Sequence, residues 1–368
     1  MPPVPQDDYT QRIEALGLPC QHQLITDLPD GLQSEELWEI FLRIYDILGE
    51  GDELWLDVTY GVRYFPMLML VLDNYAKFLK HIHVRRITYA NYQAMIPEET
   101  PLVPIQDLTA FSVLQDWTIA SALFLETGRT QRLSDLTKEV IQPMLNNRST
   151  RTSAAKHLNR FIRNLERMTD EWRLSRGSDI IEANMIALVK QDASRVTSRL
   201  LPPFMPIFDK VCEVLQPFQS NEDVRNGFQA ASWCYEHQLY QQCITLLQES
   251  IITLVCQHND IDWHCCEDRE LVGAAFHIVG MHLERDERRW LYAHSDDPEQ
   301  EERSLTLLRH MVHQPIIRAL ALDYKYCSNI RNDLNHAGMR VNPMTASDIK
   351  VVVGRCLHNV MGKVALKC

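Results

Sequence analysis

The stretch from Glu53 to Tyr92, ELWLDVTYGVRYFPMLMLVLDNYAKFLKHIHVRRITYANY, decides how the first part of the chain folds. ELWLDVT is short, apolar and rich in strand-forming residues. YFPMLMLVLDNYAKFLKHI carries apolar residues at helical spacing, and Pro66 is tolerable in a first helical turn. VRRITYANY returns to strand character. Strand, helix, strand in this order reads as a βαβ unit and hence a parallel sheet. Polar residues follow the first strand at once: Asp57, Thr59, Gly61 and Arg63. In such sheets the carboxyl ends of strands and the next helix N-terminus are where anionic ligands bind. Thr59 offers a hydroxyl, Gly61 permits close approach, and Arg63 brings a fork of donors. Asp57 reads as a cap of the turn.

Working outward, residues 8–16 read as a short helix, QHQLIT as a strand or extended run, and DLPDG as a turn. Ser34 is read as the N-cap of EELWEIFLRIYDIL. No apolar strand precedes DDYTQRIEAL: either this domain is unusually short or the sequence starts inside it, and a sheet lacking its first strand would expose an edge. IPEETPLVPIQDLTAF holds three prolines and reads as an irregular connector. From Ser112 onward the pattern is helical. GFQAASWCYEHQLYQQCITLLQESIITLVCQH reads as two helices broken at HQLY, and HSDDPEQEE as an acidic loop. Thr345 and Asp348 have the spacing of a capping box. The expected architecture is an α/β N-terminal domain, Rossmann-like with a parallel sheet, followed by an all-α domain. The boundary falls between Pro97 and Arg151. A three-part division follows: 1–110, a helical connector over 111–225, and 226–368.

The chain has 368 residues and a net charge of −12, which argues against a surface that grips nucleic acid everywhere. The charge is uneven. Residues 321–368 carry seven Lys or Arg against three Asp. Ten cysteines occur without CxxC spacing, so a disulfide scaffold or structural zinc is not expected. No secretion signal or long apolar run is evident, and a reducing cytoplasm is the expected setting. The basic segment contains SNIRNDLNHAGMR, residues 328–340. Asn332 and His336 are four apart and share a helical face, while Arg331 lies about 140° round from His336. Arg and His at the end of one helix suit metal-independent RNA cleavage: Arg stabilises charge on the phosphoryl oxygens and His assists proton transfer. Spacing alone favours a capping or solvent-facing polar cluster over a catalytic one. Arg160, Arg163 and Arg167 form a basic strip that reads as a solvated or salt-bridged face. Trp172, Trp233 and Trp263 read as packing residues, and His310 and His313 as satisfied histidines.

LWLDVTYGVRYFPMLMLVL, SWCYEHQLYQQCITLLQESI and RNDLNH, in this order, resemble CRISPR-associated proteins that join a CARF domain to a HEPN ribonuclease domain, of the Csx1 type. The first matches the family's D-x-T-x-G-x-R run and the last its R-N/H-x-x-x-H motif. The resemblance implies a CARF-like sensor over 1–110 and a HEPN-like ribonuclease over 226–368. It implies a homodimer that binds a cyclic oligoadenylate, cA4 or cA6, made by a type III CRISPR complex. The ligand would lie on Thr59, Gly61 and Arg63. Arg331, Asn332 and His336 would cut single-stranded RNA without a metal or other cofactor, leaving a 2′,3′-cyclic phosphate and a 5′-hydroxyl. The family often has His where Tyr60 stands. Two other readings remain open: a non-catalytic nucleotide sensor or scaffold, and a toxin-like HEPN ribonuclease under other control.

Overall fold

The computed structural model describes residues 27–60, 63–97, 102–148, 152–196 and 202–365, with 11, 14–17, 21 and 23–25 before them. Gly61 and most of the helix expected over 8–16 lie outside the described residues. The chain forms two compact units, Met1–Ser112 and Val113–Cys368.

In the first unit, helix α1 (Ser34–Ile47) precedes strand β1 (Glu53–Asp57), helix α2 (Phe65–Lys80) and strand β2 (His83–Ala90). β1 and β2 pair in parallel, Glu53 opposite His83 and Asp57 opposite Thr88, so the βαβ reading holds. The register shifts between Leu54 and Trp55. The sheet is mixed rather than purely parallel. A third strand, β3 (Ile105–Asp107), pairs antiparallel with β2 inside the segment read as an irregular connector. Three exposed residues carry no apolar alternation, so that strand had no period to read. Strand order β1-β2-β3 leaves β1 at an edge with no neighbour on its outer side among the described residues. Positions 23–25 of QHQLIT form no strand. Gln33, not Ser34, is the N-cap of α1, and its N–H donates to Glu36 Oε2 at 3.3 Å.

The core of this unit is small: Phe41, Val58, Met69, Leu72 and Ile87. A buried polar tie adds to it. Asp73 on α2 accepts from Ser112 Oγ at 2.6 Å and pairs with Lys77 at 3.1 Å. Ser112 lies in the first turns of helix α3 (Thr109–Thr127), so the carboxylate links α2 to the end of the unit.

The second unit is helical throughout its described residues after α3. Shorter turns lead to α4 (Ser153–Arg173), α5 (Asn184–Ala193), α6 (Val224–Glu236), α7 (Tyr240–His258), α8 (Cys266–Gly280), α9 (Pro298–Met311), α10 (Pro315–Asn335) and α11 (Ala346–Ala365). One apolar core runs through it from Trp117 to Val364. Trp172 is fully buried, stacked on Phe218 with centroids 4.5 Å apart and edge-on to Trp233 at 4.8 Å. Trp172 and Trp233 therefore pack, as expected, while Trp263 is only partly buried. Asp192 on α5 is buried and receives Arg160 at 3.3 Å and Asn164 at 2.8 Å, which gives part of the basic strip a structural use. α6 and α7 are separated by the break read at HQLY, with Gln238 in a left-handed conformation. Gly227 allows these helices to approach, because a Cβ there would collide with Ser250 Oγ.

PEQEE is the first turn of α9 rather than loop. Asp297 caps it, and Glu299 and Glu301 sit where the helix dipole favours anions. Cys212, Cys234, Cys243, Cys256, Cys265, Cys266, Cys327 and Cys356 are all free thiols. Burial pushes the Cys212 and Cys243 thiols up to about 12, so they act as small hydrophobes.

Glu171 on α4 is a carboxyl whose burial ties stability to pH. Burial, aided by the nearby Asp179 carboxylate and opposed by Arg167, raises it from 4.5 to about 7. The folded chain then holds a proton between these values that the unfolded chain has lost, so stability falls as pH rises across that window. Thermal melts at pH 5 and pH 8 should show a smaller difference for Glu171→Gln than for the parent. An unchanged difference would remove Glu171 from the account.

Candidate functional site

The strand-end site of the first unit is built from Asp57 and Thr59. Asp57 Oδ1 accepts from Thr59 N–H at 3.0 Å, and Asp57 Oδ2 accepts from the Thr88 hydroxyl at 2.7 Å. Burial pushes this carboxyl up, but the bonds from Thr88 and Thr59 outweigh it and hold it below the usual carboxylate range. Asp57 is thus the turn cap that its position suggested. The Thr59 hydroxyl oxygen accepts from Ala90 N–H at 2.8 Å, which extends the β1–β2 pairing by one step. Its side chain also bonds the Asp57 carboxylate, which takes up the hydroxyl proton. Arg63 is exposed just before α2. Tyr60 and Tyr92, each following a parallel strand, join their hydroxyl groups at the same end of the sheet. The structure brings Asp57, Thr59, Tyr60 and Tyr92 together there.

The second site forms where α10 ends. Ile316, Ile317, Leu320, Ala321, Cys327 and Ile330 bury one face of this helix. The helix stops at Asn335, and His336 is its C-cap. Ala337 N–H bonds Leu334 O at 3.1 Å and Gly338 N–H bonds Asp333 O at 2.9 Å, a Schellman ending. Ala337 and Gly338 both have left-handed φ, 52° and 70°. Only the second is the residue type that adopts it freely, so Ala337 carries strain of about 1–2 kcal/mol beside His336. The loop that follows is held by Asp333, which is 2% exposed. Its Oδ2 accepts from Met344 N–H at 3.2 Å, and its Oδ1 lies 3.6 Å from Arg340 Nε. Thr345 Oγ1 then accepts from Asp348 N–H at 3.2 Å, opening α11 as the box spacing predicts.

Arg331 and His336 are five residues apart, a rise of about 7.5 Å along the helix. His336 and Asn332 are exposed, and neither side chain bonds another among the described residues. Asn335 is engaged, accepting from Gln241 Nε2 at 3.0 Å. Arg331 is half-buried. Its Nη1 donates to Glu249 Oε1 at 3.3 Å, while its Nε is buried with no partner. The other oxygen of Glu249 takes Arg269 Nη2 at 2.7 Å. Arg269 is itself fixed by Thr253 Oγ1 at 3.0 Å and Trp263 O at 2.9 Å.

Two guanidinium groups around one carboxylate leave a net positive charge. Arg269 offsets the charge of Glu249, so Glu249 can aim Arg331 without cancelling it. The buried Nε is out of a substrate's reach, so a phosphoryl oxygen would meet the part of the Arg331 side chain that stays exposed. Among the described residues no group of three His, Cys, Asp or Glu could hold a metal.

No protein-family model matches the chain. This chain is similar to a CRISPR-associated protein. The protein is from Methanocaldococcus jannaschii, and the two are 22% identical over 235 residues. That match covers 62% of this chain and 33% of the relative, so the chain spans about a third of the relative's length. The similarity supports the CRISPR-associated part of the resemblance and leaves its finer type to the site chemistry. No described helix is long and apolar enough to cross a membrane.

Glu249, Arg269, Asp333 and Gln241 were not singled out from sequence. Arg331 and Glu249 are 82 positions apart, and no local spacing links them. The one available signal was a Glu within a helix apolar on almost every side. Glu249→Ala should leave two cations facing each other without their acceptor. It should lower unfolding free energy by about 1.5–3 kcal/mol, read by urea denaturation. A loss within error of zero would reduce the bridge to a surface contact.

Proposed function

We propose that this chain is a metal-independent endoribonuclease acting in CRISPR antiviral defence, with its activity raised by a cyclic oligoadenylate. The observation that carries the reading is the end of α10. There a half-buried Arg331 is held by Glu249 with part of its side chain still exposed, and an exposed His336 follows five residues later. The similarity to a CRISPR-associated protein supports the setting.

In this reading, the RNA 2′-hydroxyl attacks the adjacent phosphorus. His336 assists movement of the proton that the hydroxyl gives up and of the proton that the departing 5′-oxygen takes. Arg331 stabilises the charge that grows on the phosphoryl oxygens, and Asn332 orients the substrate. The products are a 2′,3′-cyclic phosphate and a 5′-hydroxyl. Leu322 and Tyr326, one turn apart and exposed on α10, favour pairing with a second copy of the helix. A two-fold pair would bring two Arg331–His336 sets to one substrate. In the first unit, cA4 or cA6 would be recognised by the Thr59 hydroxyl, the backbone at Gly61 and the Arg63 guanidinium, of the Csx1 type in its logic.

The test is cleavage of labelled single-stranded RNA in EDTA, with and without cA4 or cA6. Arg331→Ala and His336→Ala should each lower the rate by roughly 10²–10⁴-fold with an unchanged circular dichroism spectrum. Thr59→Val and Arg63→Ala should lower the response to the activator and leave basal cutting intact. Activity that survives both α10 substitutions overturns the assigned site.

A further inference from the structure

We propose that a cavity beside the Arg331–Glu249 pair is a nucleobase subsite for single-stranded RNA. This rests on the nuclease reading above and adds to it the group that selects where the strand is cut. The cavity holds about 270 Å³, and Ser175, Ser178, Glu249, Trp263, His264 and Arg269 are among the residues that line it.

Position is the first argument. Glu249 lines the cavity and also accepts from Arg331 at 3.3 Å. A group resting on Glu249 inside the cavity is therefore one carboxylate away from the proposed phosphate-binding guanidinium. A nucleotide sets its base at a comparable remove from its own phosphate.

Chemistry is the second. Trp263 and His264 place their rings together, with centroids 3.7 Å apart and planes inclined by 31°. Aromatic faces are the usual platform for unstacked bases. The Ser175 and Ser178 hydroxyls make no hydrogen bond among the described residues, so both can donate to or accept from a base edge. Glu249 keeps lone pairs for an exocyclic amino group.

Size is the third. The volume lies just below the roughly 300–1,000 Å³ typical of drug-sized ligands, so it suits one base rather than a dinucleotide. A base can enter only when unpaired, which restricts the substrate to single strands.

The experiment has two arms. In the first, a mixed-sequence single-stranded RNA is cut and the cleavage positions are mapped. The parent should favour particular bases beside the cut. Trp263→Leu and Ser178→Val should flatten that preference and raise KM roughly tenfold, with kcat within about twofold of the parent. In the second, AMP, GMP, CMP and UMP at millimolar concentration are titrated calorimetrically into the His336→Ala protein. At least one should bind, and both cavity substitutions should weaken it by roughly tenfold. Binding without any RNA cutting leaves the subsite in place and removes the nuclease reading. Equal binding in parent and both variants, or none with any of the four, overturns the subsite.

Discussion

α7 has almost no solvent face, and the helical unit is arranged around that constraint. Eleven of its residues from Cys243 to Cys256 are buried, spread round the helix rather than along a stripe. A helix enclosed in this way must bring any charged side chain inward or to a seam, and such a charge must be met. Glu249 is the charged residue in that span. It is met from two sides, by Arg269 on α8 and Arg331 on α10. The same contact that makes the carboxylate tolerable fixes the guanidinium that faces the candidate substrate. Packing and site geometry are here one arrangement, since both arginines that meet this partly exposed carboxylate come from helices packed against α7.

What could be read from sequence follows from the range of the interactions. The βαβ order was legible because Leu54, Leu56 and the apolar face of Phe65–Lys80 lie within one local window. The capping of α11 was legible because Thr345 and Asp348 are three apart. β3 escaped because a three-residue edge segment with no buried side chain has no period. PEQEE was read as loop because acidity alone suggests exposure, although at a helix N-terminus it is also what the dipole favours. In the candidate site, Arg331, Asn332 and His336 were visible as a run. Their positioning residues were not, because Glu249, Arg269 and Gln241 come from other helices.

The first unit places its polar groups differently. Asp57 and Thr59 spend much of their hydrogen-bonding capacity on holding the strand ends in register. That leaves a rigid platform with few free groups, the exposed Arg63 side chain foremost. A site of this kind recognises a ligand mostly through groups fixed before it arrives, which lowers the ordering entropy of binding. Among the described residues β1 has an open edge, and it begins and ends on Glu53 and Asp57, the first paired with Arg85 on β2 and the second bonded to Thr88.

The left-handed Ala337 has a consequence for how this protein could change over generations. Alanine codons become glycine codons by one base substitution. Glycine would relieve about 1–2 kcal/mol of backbone strain, offset by roughly 0.5–1 kcal/mol of unfolded-chain freedom. A short mutational path to a more stable fold therefore passes through the residue that follows His336. Along that path, gains in durability and the posture of the imidazole would be inherited together.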